Sequence, residues 1–434
     1  MFPVKENHFS RVSRVSRAIF RRARSLSPFT QKTAANSNLG KHVVRPMLID
    51  QKTIRAENRK RILQLLIRKR EVTIPEISRE LDISIPTVTK NLNQLMAEGI
   101  ATEAGVSEST GGRRPVLIRF LPDAYYAIGV EFSTSGYVRI ILTNLDSVIT
   151  SDRILRNPDF HDIDTLMRDI QHHLEGILRD RQLPLQKILA IGFSLPGTVN
   201  EETKLLKIAP NLGLKNIDFT QYEALFQLPL FIENDANTAA MAELTLGIAK
   251  SMQNIVYLLI LPQGIGGGIF VGGHLYRGVN KRAGEFSHMT VASHGRQCSC
   301  GRLDCWEMYA SANSLVRLYC EKTGKEIATV EEFFAVLKKY DPAAVEVFDT
   351  YLDYLALGIR NIILIQDPQY VIIGGVISPF EEIFLEALQA KVFVENNFYT
   401  RNDVQILCSG LKEDASILGA SLLPFEKIFS LHDL

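Results

Sequence analysis

The chain has 434 residues, of which 46% are hydrophobic and 22% are charged, and its formal net charge is +1. A chain of this length exceeds what one hydrophobic core usually serves, so we expect two or three domains. The composition argues against a fibrous or fully disordered protein. The sequence has no apolar run of about 18 residues, which argues against a membrane span. Few, clustered cysteines favour a reducing, cytoplasmic compartment over a disulfide scaffold.

Residues 1–50 form a basic segment, with ten lysines and arginines against only Glu6 and Asp50. The segment is rich in Arg and Ser and has no clear apolar pattern, so we predict a disordered extension. Met47 is a candidate for the start of the chain. The alternative is a basic arm that contacts DNA phosphates.

Residues 51–120 show the pattern of a winged helix-turn-helix domain. Ile62, Leu65 and Leu66 form the apolar stripe of a first helix. Thr73 begins a capping box with proline in the first helical turn, which predicts a short second helix.

A third helix is predicted from the N-cap Ser84 to a stop at Gly99. Val88, Leu92 and Leu95 follow the helical period and should face the core. The opposite face then offers polar side chains that suit a recognition helix in a DNA major groove. These residues are Thr87, Lys90, Asn93 and Gln94.

Two β-prone runs flank the sequence Gly111–Pro115 and predict a β-hairpin wing. Arg113 and Arg114 would place positive charge at its tip, where a wing meets phosphates or the narrow minor groove. A helical protein–protein module with solvated charges is the alternative. The capping box, wing and basic tip together favour DNA binding.

From Tyr125 onward, predicted strands alternate with predicted helices. Two strands in a hairpin-like arrangement are joined across Ser133–Gly136, and a helix is expected over about 162–181. The later elements are the strands ILAIGFSLPG, FIEND, NIVYLLIL and YVIIGGVI, the helix ANTAAMAELTLG, the glycine-rich turn QGIGGGIFVGG, helices within residues 305–366, and a terminal strand and helix. This pattern predicts two α/β lobes around a cleft over residues 121–434.

A dense cysteine cluster predicts a metal site. Cys298, Cys300 and Cys305 fall within eight positions, and His288 lies ten residues upstream. Thiolates and a neutral imidazole form closed, tetrahedral zinc sites, and Gly301 allows the chain to fold back. Buried cysteines that act as small hydrophobic residues are the alternative, but those do not cluster beside Ser, Gly, Arg and Asp. Four protein ligands leave no open position, so we predict a structural zinc.

The segment Gly284–Glu307 resembles the signature of the ROK family, which contains bacterial sugar kinases, sugar-responsive repressors and uncharacterised relatives. The family pattern is E-x-G-H followed by C-x-C-G-x-x-G-C-x-E, and here Ser287 and Asp304 replace two glycines. Those departures change backbone freedom and not the metal ligands. The T-G-G-R-R-P tip is also similar to that of ROK repressors. The resemblance implies an actin-like (ribonuclease H-like) sugar kinase fold with a structural zinc loop.

The resemblance also implies a sugar site. Asp235, within N-D-A-N, corresponds to the family's general base, which accepts a proton from a sugar hydroxyl; helix capping alone is the alternative. One ring nitrogen of His288 would bind the metal while the other bonds the ligand. The predicted sugar-binding residues are Asn211, Asn234, Asp235, Glu285, His288 and Glu307.

The nucleotide half of the kinase site looks altered. Sugar kinases of this fold have D-x-G-G-T in the first phosphate loop, where this chain has Glu131–Gly136 without the glycine pair. Phosphate should therefore bind poorly there. The second loop keeps its glycines but has Gln263 in place of the usual Thr. Gly374–Gly375 resembles the family's adenosine contact, although a packed strand end would use the same residues.

These observations predict a DNA-binding regulator, most simply a repressor of sugar uptake or catabolism genes that a sugar or sugar phosphate releases from its operator. A homodimer or homotetramer would read a palindromic operator on the nucleoid. The alternative is an ATP-dependent hexose kinase with an accessory DNA-binding domain, since Asp235 would support residual, vestigial or weak phosphorylation. Release by a partner protein, such as one of the phosphotransferase system, is a third hypothesis.

Overall fold

A computed structural model describes residues 51–106, 115–293, 295–394 and 398–429. Within these ranges, no helix is both long and apolar enough to cross a membrane. The basic segment 1–50 and the predicted wing-tip residues Arg113 and Arg114 lie outside the described residues.

The first region has three helices and a small sheet, as the sequence predicted for a winged helix-turn-helix domain. Its strand order is β1-β3-β2. Strand β1 was missed because three residues are too few to show an alternating pattern. The elements are α1 (Gln51–Lys69), β1 (Glu71–Thr73), α2 (Ile74–Leu81), α3 (Ile85–Ala97), β2 (Ala101–Val106) and β3 (Val116–Phe120).

The two predicted helix caps differ in the structure. The Thr73 hydroxyl accepts a bond from Glu76 N (3.4 Å), and the Glu76 carboxylate accepts one from Thr73 N (2.8 Å), so the capping box is confirmed. Ser84 occupies the N-cap position of α3, but its hydroxyl makes no capping bond to the helix backbone. It lies 2.9 Å from the Thr87 hydroxyl instead, and the predicted side-chain cap is wrong.

The first α/β lobe is built on a five-stranded sheet of order β11-β7-β4-β5-β6. Strands β4 and β5 form the predicted antiparallel hairpin, and β7 runs parallel to both β4 and β11. A small antiparallel sheet, β8-β9-β10, adjoins the cleft. The elements are β4 (Tyr126–Ser133), β5 (Tyr137–Asn144), β6 (Ile149–Arg156), α4 (Ile163–Asp180), β7 (Ile188–Leu195), β8 (Thr198–Asn200), β9 (Leu205–Ala209), β10 (Leu214–Asp218), α5 (Glu223–Phe226), β11 (Leu230–Asn234) and α6 (Asp235–Thr245).

The second lobe is built on a sheet of order β14-β13-β12-β15-β16. The final helix α12 returns to the first lobe and packs on α6, β4 and β7. The elements are β12 (Ile255–Ile260), β13 (Ile265–Val271), β14 (His274–Leu275), α7 (Glu307–Ala310), α8 (Ala312–Thr323), α9 (Val330–Leu337), α10 (Pro342–Gln366), β15 (Tyr370–Gly375), α11 (Glu381–Val392), β16 (Gln405–Cys408) and α12 (Ala415–Phe429).

The glycine-rich segment after β12 is not the predicted turn. Gly266–Gly268 lie inside strand β13, which pairs antiparallel with β12. Glycine is required there for packing, because a Cβ at Gly268 would lie 2.7 Å from the Ala236 carbonyl oxygen and one at Gly267 would lie 2.4 Å from the Gly284 carbonyl oxygen. Close packing on α6 and on the segment that follows β14 therefore explains these glycines.

One hydrophobic core joins the helices of the first region to the first lobe. Leu65 and Leu66 of α1 belong to the same buried cluster as Met241 of α6 and Leu422 and Phe425 of α12. The winged helix is therefore seated on α12, which packs on the first-lobe sheet, and on α6, which packs on α12 and on β12 and β13.

The contact between α6 and α12 gives a stability prediction. A Cβ at Gly419 would lie 2.0 Å from the Thr238 carbonyl oxygen. Because backbone must move to make room, Gly419→Ala should lower the free energy of unfolding by about 1–3 kcal/mol in denaturant titrations. Lys427→Ala, at an exposed position of the same helix, is the control and should change it by no more than about 0.5 kcal/mol. Equal stability of Gly419→Ala and the unchanged protein would contradict the packing described.

Candidate functional site

The predicted metal ligands converge in the structure. One ligand atom each of His288, Cys298, Cys300 and Cys305 lies within 4.8 Å of all the others. Cys298 Sγ is 3.7 Å from His288 Nδ1, and Cys300 Sγ is 3.6 Å from Cys305 Sγ. A tetrahedral zinc ion with Zn–S bonds of about 2.3 Å would hold sulfur ligands about 3.8 Å apart. These four side chains could therefore hold a metal ion.

A tight turn brings the cysteines together. Gly301 N donates to the Cys298 carbonyl (3.0 Å), and Cys298 N donates to the Arg302 carbonyl (2.9 Å). Gly301 has φ +85°, a left-handed conformation that glycine adopts without steric cost. The chain can therefore reverse between Cys300 and Cys305.

The two departures from the ROK pattern have different structural solutions. Asp304 adopts φ +58°, the conformation that a glycine would take easily. Its carboxylate accepts bonds from Gly295 N (2.9 Å) and Arg296 N (3.0 Å), which stabilise the turn. Ser287 lies in a short 3-10 turn and has no positive φ, so a side chain is accommodated there.

The six predicted sugar-binding residues line a single cavity between the lobes. Its volume is about 700 Å³, and the Cys/His cluster lies at its edge. The first lobe supplies amide and carboxylate side chains, and the second lobe supplies two carboxylates and an imidazole. Such groups can donate to and accept from the hydroxyls of a sugar. The six are Asn211, Asn234, Asp235, Glu285, His288 and Glu307.

Asp235 is the first residue of α6 and is buried at the cavity wall. Its Oδ1 accepts bonds from Ala236 N (2.9 Å) and Asn234 Nδ2 (2.9 Å). Burial, reinforced by the charges of Glu131 and Glu285, raises the pKa of Asp235 to about 7, although the bond from Ala236 N opposes the shift. The carboxyl group therefore titrates near neutral pH, where a general base or a strong acceptor is useful.

Asn234 has a second task beyond lining the cavity. Its Oδ1 caps α6 by accepting bonds from Ala236 N (3.0 Å) and Asn237 N (3.1 Å). Its Nδ2 donates to the Gly197 carbonyl (3.0 Å) and to Asp235. The side-chain amide is thus engaged by protein partners, and the capping role that we considered for Asp235 belongs to Asn234.

His288 and Glu307 connect the Cys/His cluster with the cavity between the lobes. The Nδ1 atom of His288 faces Cys298, whereas Nε2 lies 4.0 Å from Glu285 Oε2. Glu307 Oε1 accepts a bond from Cys298 Sγ (2.9 Å) and lies 3.9 Å from His288 Nδ1. Glu307 therefore contacts the predicted metal ligands and also lines the cavity.

The altered phosphate loop comprises the end of β4 and the hairpin turn, and Glu131 lies within β4 opposite Arg139 of β5. Burial raises the pKa of Glu131 to about 7, although a hydrogen bond with Ser416, in the first turn of α12, opposes the shift. Gly374 is explained by packing, since a Cβ there would lie 1.8 Å from the Tyr257 hydroxyl oxygen.

The predicted recognition face of α3 is available to a ligand. Lys90, Asn93 and Gln94 are exposed, and Thr87 is half-buried beside Ser84. The core-facing residues of this helix, Val88, Leu92 and Leu95, are buried as predicted.

Sequence reasoning missed several residues around the cavity. Thr198 lines it and donates to Glu285 Oε1 (3.2 Å) across the two lobes. Asn237 lines it from the first turn of α6, and Glu233 lies buried directly behind. Asn237 and Glu233 stand in the E-N-D-A-N sequence, so their position at a strand-to-helix junction was the available signal.

The raised pKa of Asp235 predicts a pH-dependent stability. The native protein binds a proton on this group with a pKa near 7, whereas the ordinary Asp value is 3.8. Protonated Asp235 therefore contributes stability that is fully present below the ordinary pKa and is lost as the pH rises through about 7. Asparagine does not ionise, so this loss is absent from Asp235→Asn. Its free energy of unfolding should therefore rise by about 2 kcal/mol relative to that of the original protein between about pH 5 and pH 8.

Unfolding titrations of sugar-free protein at several pH values measure this gain. Asp180→Asn, at an exposed site, is the matched control and should show no such trend. A stability difference for Asp235→Asn that stays constant across this pH range would show that Asp235 titrates normally.

Comparison with known proteins agrees with this geometry. Residues 128–427 match the ROK family, and residues 55–102 match a winged helix-turn-helix DNA-binding family. A xylose repressor from Bacillus subtilis (strain 168) is 30% identical over 387 residues, which cover 88% of this chain and 99% of that repressor. An N-acetylglucosamine repressor from Escherichia coli O157:H7 is 25% identical over 357 residues, which cover 80% and 87% respectively.

Solved structures share the fold. A ROK family transcriptional regulator, a homolog of the E. coli MLC protein, aligns with a TM-score of 0.75 at 23% identity over 87% of this chain and 98% of that one. A ROK family glucokinase from Streptomyces griseus, in complex with glucose and AMPPNP, aligns with a TM-score of 0.60 at 24% identity over 69% and 98%. Since the family match spans well over half of its length, the chain belongs to the ROK family and carries a winged helix-turn-helix domain before the family domain.

Proposed function

We propose that this protein is a sugar-responsive transcriptional repressor in which a sugar bound between the lobes weakens the hold of the winged helix on operator DNA. The observation that carries the proposal is the joining of two sites in one chain. One site is a cavity lined by side chains that can hydrogen-bond a sugar, and the other is a DNA-binding domain. A shared hydrophobic core links the two. The similarity to xylose and N-acetylglucosamine repressors supports the same function.

The domain assignment follows from this proposal. The DNA-binding domain comprises residues 51–120, the sensor domain comprises residues 121–434, and residues 1–50 are an extension. The protein acts in the cytoplasm as a homodimer or homotetramer, because two recognition helices at a fixed spacing read a palindromic operator. Arg113 and Arg114, which lie outside the described residues, are further candidates for contacts with DNA phosphates.

The metal in the Cys/His cluster is zinc with a structural role. Three thiolates and one imidazole are a donor set that zinc favours, and the 3.6 Å separation of two sulfur atoms suits its bond lengths. Zinc would hold the segment that carries Glu285 and His288 against the cavity. His288 Nδ1 binds the metal, and Nε2 is left to form a hydrogen bond with the sugar.

The effector is a pentose, hexose or amino sugar, with or without a phosphate group. Asp235 accepts a hydroxyl bond, Asn234 holds Asp235 in place, and Asn211, Glu285 and Glu307 bond the remaining hydroxyls. The sugar changes DNA affinity only if it prefers one lobe arrangement over the other. Phosphoryl transfer is disfavoured because Glu131 replaces the Asp of the kinase phosphate loop and the glycine pair of that loop is absent from the sequence.

The proposal is tested by operator release. Operator DNA selected from a random pool is bound by the full chain, and D-xylose, N-acetylglucosamine and glucose are titrated in while fluorescence anisotropy is read. We expect at least one sugar of this class to weaken DNA binding about tenfold or more. A coupled assay for ADP with the same sugars covers the kinase alternative, and turnover well above background would overturn the regulator assignment.

The recognition helix gives the next prediction. Lys90→Ala should weaken binding to all DNA sequences and lower the log–log salt slope by about 1, because a phosphate contact is lost. Gln94→Ala should cost about 1–3 kcal/mol on the selected operator and relax its sequence preference. Lys339→Ala, which removes an exposed lysine of the second lobe, is the charge-matched control. Operator binding by both Lys90→Ala and Gln94→Ala at the original affinity would remove α3 from the DNA interface.

Metal loss gives another prediction. Cys300→Ser should reduce bound zinc from about one ion per chain to almost none, measured by elemental analysis, and should abolish the response to sugar. Cys320→Ser is the control, because the Cys320 thiol lies outside the cluster and contacts the Ile327 carbonyl. A zinc-free Cys300→Ser protein that still releases operator normally would contradict the role given to the metal.

A further inference from the structure

A buried carboxylate lies directly behind the sugar cavity. Glu233, the penultimate residue of β11, is only 2% exposed. Its Oε1 accepts bonds from Asn234 N (3.0 Å) and Asn237 Nδ2 (2.9 Å). Glu233 therefore holds the residues on either side of Asp235 in place. A buried charge is costly unless it is paired, so the position of this junction depends on the partner of Glu233.

That partner comes from the other lobe. Arg277 follows β14, and its Nε (2.8 Å) and Nη2 (2.6 Å) both donate to Glu233 Oε2. The same guanidinium lies 3.3 Å from Glu201, which follows β8 in the first lobe. A planar guanidinium can serve two carboxylates at fixed angles, whereas the single ammonium group of lysine cannot reproduce that fork.

Lys281, in the same segment, also forms ion pairs with carboxylates of the first lobe. Lys281 Nζ lies 2.7 Å from Glu201 and 2.9 Å from Glu202, and the Lys281 side chain also lines the sugar cavity. Glu201 is itself largely buried, with a side-chain exposure of 9%. Two second-lobe cations therefore pair with first-lobe carboxylates beside the cleft.

The segment that carries these cations also carries sugar-site residues. Glu285 and His288 follow within a few residues, and Thr198 of the first lobe donates to Glu285. A change in lobe spacing would therefore alter the ion pairs and the sugar contacts together.

We propose that Arg277 is a positioning residue for the sugar site. It neutralises Glu233 from the second lobe, so that Asn234, Asp235 and Asn237 are held in register with the second-lobe ligands. Lys281 and Glu201 form a second ion pair between the lobes. Together the two ion pairs set the lobe arrangement to which the sugar binds. The inference rests on the proposed function, since it assigns a role within the same site.

Arg277→Lys is the informative variant because it keeps the charge and removes the fork. In sugar-free protein, hydrogen exchange should rise in peptides that cover residues 233–245 and 276–288 and stay unchanged elsewhere. Affinity for whichever of D-xylose, N-acetylglucosamine and glucose binds the original protein should fall about tenfold or more. Lys391→Ala is the control, because Lys391 pairs with Asp349 and Asp353 inside the second lobe and away from the cavity. It should change neither quantity.

A double-mutant cycle separates positioning from general stability. In a Glu233→Gln background the buried charge is gone, so adding Arg277→Lys should change exchange and sugar affinity much less than it does alone. Additive effects, exchange that rises uniformly over the protein, or an Arg277→Lys variant identical to the original would each overturn the proposal. If the original protein binds none of the sugars, the proposed function fails on its own, while the exchange measurements still decide the role of Arg277.

Discussion

The convergence of His288 with three cysteines is the constraint on which the binding site depends. Between β14 and α7 the described chain contains no long helix or strand, only a short 3-10 turn and isolated bridges. Such a long irregular segment needs fixed points if it is to present side chains accurately. The Cys/His cluster supplies one fixed point, and the close approach of Gly284 to Gly267 on β13 supplies another. Glu285 and His288 lie in the chain between Gly284, which contacts β13, and the three cysteines.

The opposite wall of the cavity leads toward the DNA-binding domain. Helix α6 begins at Asp235 beside the sugar cavity and ends at Thr245. Thr245 lines a second cavity, of about 580 Å³, together with Gln64 and Leu65 of α1. Glu243, in the same helix, accepts bonds from Ser409 and from Leu411 N (2.9 Å), just before α12. The helix that begins at this cavity therefore also supports the winged helix.

Local patterns in the sequence predicted much of this architecture. The capping box at Thr73, the inward face of α3 and the β4–β5 hairpin all follow from short-range rules, and the structure has them. The density of cysteines near His288 predicted the metal ligands, and the ROK resemblance named the six cavity residues. The ROK family and the winged helix were confirmed, whereas the individual roles of the site residues remain predictions.

What the sequence did not reveal depends on contacts between distant segments. Gly266–Gly268 looked like a turn because glycine runs usually mark turns, yet tight packing on α6 places them within a strand. Nothing in the local sequence pairs Arg277 with Glu233, since helix α6 and strands β12–β14 lie between them in the chain. Asn234 was named as a sugar ligand, but its engagement as a helix cap appears only in its hydrogen bonds.

The most direct test of the central claim is reciprocal coupling between sugar and operator. Sugar affinity would be measured by calorimetry on the free protein and on the protein saturated with operator DNA, beside operator affinity with and without saturating sugar. If the cavity controls the winged helix, operator DNA should weaken sugar binding by the same factor by which the sugar weakens operator binding. Sugar that binds in the cavity with the same affinity in both states, and leaves operator affinity unchanged, would contradict the account.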